Sequence, residues 1–137
     1  DLCIAFTDES AGAEVPGEVG LALFRIAQES MQNALKHARA TGIEVRLLGR
    51  GRRLVLEVTD DGIGFDPNSI AGDHAGGLGL ASMQERARLV NADFSIRAHD
   101  LRGTTVSVSV DVESARQGRA GSAERAEWGA PAPESVP

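Results

Sequence analysis

Residues 104–112 read TTVSVSVDV, and this short stretch decides the fold. Its four valines occupy every second position, and polar residues fill the positions between them. Because successive side chains of a β-strand point to opposite faces of a sheet, the pattern predicts a strand with one apolar face and one face in water. The sheet to which it belongs therefore needs a covering layer on one face only.

Segments on the N-terminal side of this strand continue the same architecture. Alternation predicts further strands over residues 2–7, 43–48, 53–59 and 94–99. Apolar residues at helical spacing predict helices over residues 19–38 and 80–90. The predicted fold class is α+β: a two-layer α/β sandwich with helices on one face of a mixed, mostly antiparallel sheet.

Length and composition set the domain organisation. The chain has 137 residues, of which 42% are hydrophobic and 25% charged, which is enough for one compact core and too little for two ordinary domains. Residues 113–137 are rich in alanine, glycine, serine and proline and have no apolar periodicity. We therefore predict one domain over residues 1–112 and a disordered C-terminal tail over residues 113–137.

Charge and cysteine content exclude several classes of protein. Twenty acidic and fourteen basic residues give a net charge of -6, which disfavours nucleic acid or an anionic membrane as the main partner. The single cysteine, Cys3, excludes an internal disulfide framework and favours a reducing cytoplasm. No apolar run approaches the ~20 residues that span a bilayer, so we expect no direct membrane contact. The chain begins with Asp1 rather than Met, which suggests a piece of a longer polypeptide.

A file of polar residues follows one side of the first predicted helix. Glu29, Asn33 and His37 recur every four residues, and Lys36 lies beside them. An amide and a carboxylate one turn apart suit Mg²⁺, which takes oxygen ligands and shares phosphate oxygens. Lys36, the only lysine, has the reach to meet a terminal phosphate, and the ring of His37 suits contact with a flat base. The alternative is a solvated helix face, and helical spacing alone leaves it open.

Residues 60–65 (DDGIGF) directly follow a predicted strand. A carboxylate at Asp60 can accept a hydrogen bond from an exocyclic amine, which favours adenine over guanine, and Gly62 and Gly64 permit close backbone approach to the ring. Aspartate and glycine are also common turn residues, so a plain turn is the alternative.

A second glycine cluster, residues 76–80 (GGLGL), opens directly into the second predicted helix. Flexible backbone that leads into a helix N-terminus is typical of an anion site, because the free amides and the helix dipole favour negative charge there. The spacing matches neither the GxxxxGK[ST] phosphate loop nor the GxGxxG dinucleotide turn, so the folds that carry those motifs are excluded.

Taken together, four segments closely resemble the ATP-binding catalytic domain of bacterial two-component sensor histidine kinases. They are RIAQESMQNALKHA (25–38), VTDDGIGF (58–65), GGLGLASMQERA (76–87) and RGTTVSVSV (102–110). This domain belongs to the superfamily that also contains gyrase, heat-shock chaperone and mismatch-repair ATPases, and the resemblance implies its Bergerat-type ATP-binding fold. The third segment is most similar to the nitrate-sensor (NarX-like) class, which pairs with NarL-type response regulators.

The resemblance implies ATP and Mg²⁺ as ligands and assigns residues to each. Asn33 would ligate Mg²⁺, Glu29 would help to hold the metal or its waters, Lys36 would meet phosphate and His37 would lie near the nucleoside. The catalytic set is then Glu29, Asn33 and Lys36.

Further roles follow from the same resemblance. Asp60 would bind the adenine amino group beside the turn of Gly62 and Gly64, and Thr104 would reach adenine through water. Gly77 and Gly79 would lie at the hinge of the loop that closes over the triphosphate, and Leu78 and Leu80 would belong to the same nucleotide-binding segment. Residues 66–76 would be that mobile lid, with His74 an exposed loop residue. Arg86 is either a phosphate contact or a surface ion-pair residue.

The resemblance also implies partners. Kinases of this class carry their phosphate-accepting histidine on an upstream dimerising hairpin, which this sequence lacks. We therefore expect a mostly monomeric fragment that binds ATP without autophosphorylating alone, and whose parent relays phosphate to a response regulator. Two alternatives remain: a serine kinase of the anti-sigma-factor type, and a non-catalytic nucleotide-sensing module.

Overall fold

The computed structural model describes residues 2–10, 12, 14–36, 39–63, 79–99 and 103–114, and all structural statements below concern those residues. They form five strands and two helices. The strands are β1 (Cys3–Glu9), β2 (Gly42–Arg50), β3 (Arg53–Asp60), β4 (Asp93–His99) and β5 (Gly103–Asp111), and the helices are α1 (Gly17–Lys36) and α2 (Leu80–Leu89). The predicted elements are confirmed, with ends that differ by at most two residues where the structure describes them.

The five strands form a single sheet in the order β1-β2-β3-β5-β4. β1 pairs with β2 in parallel, whereas the other three pairs are antiparallel. The sheet is therefore mixed and mostly antiparallel, as predicted. In the register between β3 and β5, Asp60 lies opposite Thr104, which brings two of the predicted site residues together at one end of the sheet.

The core lies between the helices and the apolar face of the sheet. Alternate residues of β3 and β5 are buried, including all four valines of the TTVSVSVDV stretch. α1 packs over β3 and beside α2. The largest side chains with almost no exposed surface are Val19, Ile26, Leu54, Met83, Val108 and Val110. This layer fixes where the polar side of α1 lies relative to the ends of the strands.

The opposite face of the sheet carries the polar residues of the alternating pattern. Arg46 forms ion pairs with Glu9 at 3.8 Å and with Glu57 at 3.5 Å, and Arg53 pairs with Asp93 at 2.7 Å. The polar positions of β5 on this face are partly exposed, in agreement with the predicted strand that has one apolar face and one face in water. Surface ion pairs of this kind contribute little to stability. Within the described ranges, neither helix combines the length and apolarity needed to cross a bilayer.

The predicted domain boundary at residue 112 lies close to the end of the described chain. Glu113 and Ser114 donate their backbone N–H groups to Asp111 Oδ1, at 3.0 and 3.1 Å. Residues 115–137 lie outside the described residues, so the disordered tail over 113–137 stays a prediction.

Candidate functional site

Asp60 is the last residue of β3, and its carboxyl group is held at a fixed position. Only 9% of the residue is exposed. Its Oδ1 accepts the Gly62 N–H at 2.8 Å, and the carboxyl also accepts the Thr104 backbone N–H. Burial raises the pKa of Asp60 above its ordinary value, although both N–H groups oppose the rise. The charge of the adjacent Asp61 adds a small further increase in that pKa. Buried carboxyl groups with a shifted pKa are often found at binding sites, and Asp60 is such a group at the end of a strand.

β5 begins unusually close to the end of β3. Gly103 has a φ of 105°, and a Cβ added to it would overlap the backbone oxygen of Asp60. Only glycine permits both this backbone conformation and this approach. Thr104 follows directly and is itself buried. The predicted residues Asp60, Gly62 and Thr104 therefore form one cluster.

The cluster has the chemistry expected of a base-binding floor. An ionised carboxylate has about four lone-pair positions, so Asp60 retains acceptor capacity after it has bonded two N–H groups. An exocyclic amine can donate a hydrogen bond to one of these remaining lone pairs. Because the carboxylate is acceptor-only, the same position disfavours a carbonyl oxygen, which distinguishes adenine from guanine.

α1 presents the predicted polar residues in the order that helical spacing requires. Glu29 and Asn33 are half-buried, and Lys36 is exposed at the last residue of the helix. On the buried side of α1, Ser30 Oγ donates to Ile26 O at 2.8 Å and lies 3.5 Å from Met83 Sδ. This contact is one of those through which α1 packs against α2.

Glu29 meets the N-terminus of α2. Gly79, the N-cap residue of α2, has a φ of 68°, and a Cβ added there would overlap Glu29 Oε2. Among the described residues, no side chain caps the first turn of α2. Backbone amides at a helix N-terminus attract anions, and the Glu29 carboxylate lies beside this one. The structure brings Glu29 and Gly79 together, with Leu80 half-buried at the first turn of the helix.

The oxygen ligands among the described residues suit a metal ion that a bound ligand also coordinates. They are too few to coordinate a metal ion without such a ligand. The described residues contain no group of three or more histidine, cysteine, aspartate or glutamate side chains placed to hold an ion. Glu29 and Asn33 nevertheless offer carboxylate and amide oxygens on one side of α1. Mg²⁺ is commonly held by one or two such groups together with substrate phosphates.

Several predicted site residues lie outside the described residues. They are His37, Gly64, Gly77 and Leu78, together with the predicted lid over residues 66–76 and its His74. Their roles stay predictions. Arg86 is described and lies exposed on α2, and both of its proposed roles stay open.

Sequence reasoning assigned no role to Asp61 or Gly103, although both shape the site. Asp61 accepts three hydrogen bonds from Thr41 and Gly42, which lie about twenty residues earlier in the chain. The available signal was the threonine–glycine pair immediately before the second predicted strand, since a carboxylate at the end of the neighbouring antiparallel strand can reach such backbone amides.

Comparison with known proteins shows the family and the fold. Residues 18–114 match the model of the family described as histidine kinase-, DNA gyrase B- and HSP90-like ATPases. The signal transduction histidine-protein kinase/phosphatase DegS of Brevibacillus brevis is 31% identical over 111 residues, which are 81% of this chain and 28% of DegS. The chain thus spans less than a third of the length of this curated relative.

Solved structures show the same fold at lower identity. The blue-light activated histidine kinase of Erythrobacter litoralis EL346 superimposes with a TM-score of 0.68 at 21% identity, over 83% of this chain and 37% of the kinase. Full-length ShkA, in complex with AMPPNP, gives a TM-score of 0.65 at 18% identity, over 80% of this chain and 25% of ShkA. At these identities the likeness establishes the fold.

Proposed function

Because the chain belongs to the family of histidine kinase-, DNA gyrase B- and HSP90-like ATPases, we propose that it is the ATP-binding catalytic domain of a two-component sensor histidine kinase. The observation that carries this proposal is the buried Asp60 carboxylate, which is held at the end of β3 by the N–H groups of Gly62 and Thr104. In this role it accepts a hydrogen bond from the adenine amino group, and Thr104 completes the base contact through water.

The phosphates lie, in this proposal, between α1 and the N-terminus of α2. The uncapped first turn of α2 supplies backbone N–H groups, and Lys36 supplies a positive charge at the end of α1. Glu29 and Asn33 would hold Mg²⁺, and the ion would supply neutralisation of phosphate charge. AMPPNP, an ATP analogue, is bound by the structural relative ShkA, which is consistent with a triphosphate ligand.

Phosphoryl transfer needs positioning and charge neutralisation more than covalent participation by the protein. This chain's part is to hold the base at Asp60 and to orient the triphosphate between α1 and α2. The γ-phosphoryl group is transferred to a histidine nitrogen on an upstream dimerisation domain and then to an aspartate of a response regulator. Segment 76–87 favours the nitrate-sensor-like class and a NarL-type regulator, within a sensor whose kinase domain is cytoplasmic.

The first test is a calorimetric titration of the purified chain with ATP, ADP and GTP, each with and without Mg²⁺. We expect ATP and ADP to bind, GTP to bind much more weakly, and Mg²⁺ to strengthen ATP binding more than ADP binding. Absence of adenine nucleotide binding in both conditions would refute the proposed function.

The second test asks which residue receives phosphate. The dimerisation hairpin of the parent polypeptide is supplied as a separate chain together with γ-labelled ATP. Acid-labile, base-stable label on a hairpin histidine supports the histidine kinase, whereas label on serine favours the anti-sigma-factor type of kinase. ATP binding without transfer in the intact parent favours a nucleotide-sensing module.

A further inference from the structure

The carboxylate of Asp61 ties the end of β3 to the start of β2. Its Oδ1 accepts the backbone N–H groups of Thr41 and Gly42, both at 2.9 Å, and its Oδ2 accepts the Thr41 hydroxyl at 2.9 Å. The Asp61 N–H donates in turn to Gly42 O at 3.1 Å. One exposed residue thus makes four hydrogen bonds to Thr41 and Gly42 at the start of the neighbouring strand. The N–H of Gly42, followed by the groups of Thr41, holds the pKa of Asp61 below its ordinary value, so the carboxylate stays ionised.

This connection lies where the sheet ladder ends. Asp60 pairs with Ile43 and is the last residue of β3 in the register with β2. The end of a strand opens more readily than its middle, since it lacks further ladder bonds beyond it. The four bonds of Asp61 extend the connection one residue past the ladder, on the β2 side of Asp60. On the β5 side of Asp60, Gly103 lies close to the Asp60 carbonyl and restricts the end of β3 there as well.

We propose that Asp61 is a positioning residue for nucleotide binding: by fastening the end of β3 to Thr41 and Gly42, it fixes the direction in which Asp60 presents its carboxylate to the adenine amino group. This inference rests on the proposed function, because it assigns Asp60 to the base. Asp61 itself makes no contact with the nucleotide.

The geometry separates the hydrogen-bonding role of Asp61 from its charge. In Asp61→Asn, the amide oxygen accepts both backbone N–H groups, and the amide nitrogen donates to the Thr41 hydroxyl oxygen. All three side-chain bonds therefore persist while the charge is lost. Asp61→Ala removes all three, and Thr41→Val removes only the hydroxyl bond.

The experiment is a calorimetric titration of the whole chain with ATP and with inosine triphosphate, which carries an oxygen in place of the adenine amino group. We expect Asp61→Ala to weaken ATP binding about tenfold, which corresponds to one lost well-placed hydrogen bond. Inosine triphosphate binding should change by less than about twofold, because that base has no amino group to donate to Asp60. Asp61→Asn should bind ATP within about twofold of the wild type.

Two further variants make the test specific. Asp111→Ala is the matched control, since Asp111 also accepts backbone N–H groups beyond a strand end but lies at the other end of the sheet, and it should bind ATP like the wild type. In a double-mutant cycle, Asp61→Ala should have little effect once Asp60→Asn is present. A residue that affects only overall stability would weaken the binding of both triphosphates. Its substitution would also have the same effect in the wild type and in Asp60→Asn.

The outcomes separate the two levels of inference. If the wild type binds no adenine nucleotide, the proposed function fails and the role of Asp61 fails with it. If the wild type binds ATP and Asp61→Ala binds it equally well, or loses both triphosphates equally, only the role of Asp61 is overturned. Should Asp61→Ala be unfolded by circular dichroism, Thr41→Val decides: a selective loss of ATP affinity supports the role, and wild-type affinity overturns it.

Discussion

Replacing Asp60 by asparagine directly tests the proposed hydrogen bond between its carboxylate and the adenine amino group. In the wild type, one carboxyl group accepts the Gly62 N–H at 2.8 Å and the Thr104 N–H, and keeps lone pairs for a ligand. An asparagine offers one acceptor oxygen and one NH₂ group. If the oxygen keeps the bond to Gly62, the NH₂ faces the adenine amino group, donor against donor. If the amide flips, the conflict moves to the Gly62 N–H.

The expected loss follows from the bond that disappears. A hydrogen bond to a charged acceptor contributes about 1.5–3 kcal/mol, so ATP affinity should fall about 10-fold to 100-fold. ADP should lose the same factor, because the base is common to both. Inosine triphosphate should lose much less, since its base has no amino group to donate to the carboxylate.

The same variant has a second, independent consequence for stability without ligand. Burial raises the pKa of Asp60 in the folded state, so the folded protein binds a proton more readily than the unfolded chain. The contribution of Asp60 to the free energy of unfolding therefore decreases as pH rises from the ordinary aspartate pKa through the raised folded-state value. The wild-type free energy minus that of Asp60→Asn should fall with pH across this window.

Isothermal titration measures the affinities, and urea unfolding at a series of acidic pH values measures the stability difference. Unchanged ATP affinity in Asp60→Asn would mean that Asp60 is a turn residue. Equal losses for ATP and inosine triphosphate would mean that the effect does not pass through the amino group. A stability difference that rises with pH would contradict the assignment of Asp60 as a carboxyl destabilised by burial.

The remaining predictions concern the pH dependence of ATP binding, Gly79 at the start of α2, and the proposed metal ligand Asn33. ATP affinity should fall on acidification as Asp60 is protonated. The fall should start above the pH expected for an ordinary aspartate, because burial raises the pKa of Asp60. Titrations with Asp60→Asn, which lacks the titrating carboxyl, correct for protonation of the nucleotide. Gly79→Ala should lower the free energy of unfolding by more than the roughly 1 kcal/mol that left-handed backbone strain costs, because the new Cβ overlaps Glu29. The matched control is Gly51→Ala, at a φ of 64° with open space around it, and equal losses in urea unfolding would remove the Glu29 contact from the explanation. Asn33→Ala should reduce the gain in ATP affinity that Mg²⁺ provides, and a magnesium titration identical to that of the wild type would exclude Asn33 from the metal site.

The layers of the fold were predictable because burial is periodic. Alternation in TTVSVSVDV assigns Val106, Val108 and Val110 to one face, and those valines are buried. The limits of this reasoning appear at β1. Ile4 and Phe6 stand beside Ile43 and Val45 on the face that carries the helices, yet they are 52% and 66% exposed. Whether an apolar face is covered depends on which element packs there, and periodicity within one strand does not contain that information.

The candidate site was predictable where its chemistry is local. Asp60 and Gly62 belong to one short motif, and the hydrogen bond between them spans two residues. Asp61 was missed because its partners lie on another strand, and only the register between β2 and β3 reveals them. The role of Gly103 is not predictable from its motif either, because its close approach to Asp60 is likewise a contact between strands.

The two halves of the proposed site rest on different physical supports, and this difference predicts how mutations there should behave. The base half is built on the paired ends of β2, β3 and β5, so a change at Asp60 or Asp61 should weaken ATP and ADP by a common factor. The phosphate half is built where Glu29 meets the uncapped start of α2, so a change at Glu29 or Asn33 should weaken ATP more than ADP. The ratio of the two affinities therefore assigns each variant to one half, independently of any loss in overall stability. If Glu29→Gln lowers both affinities equally, the triphosphate does not lie between α1 and α2, and the arrangement proposed for phosphoryl transfer must be abandoned even if adenine still binds at Asp60.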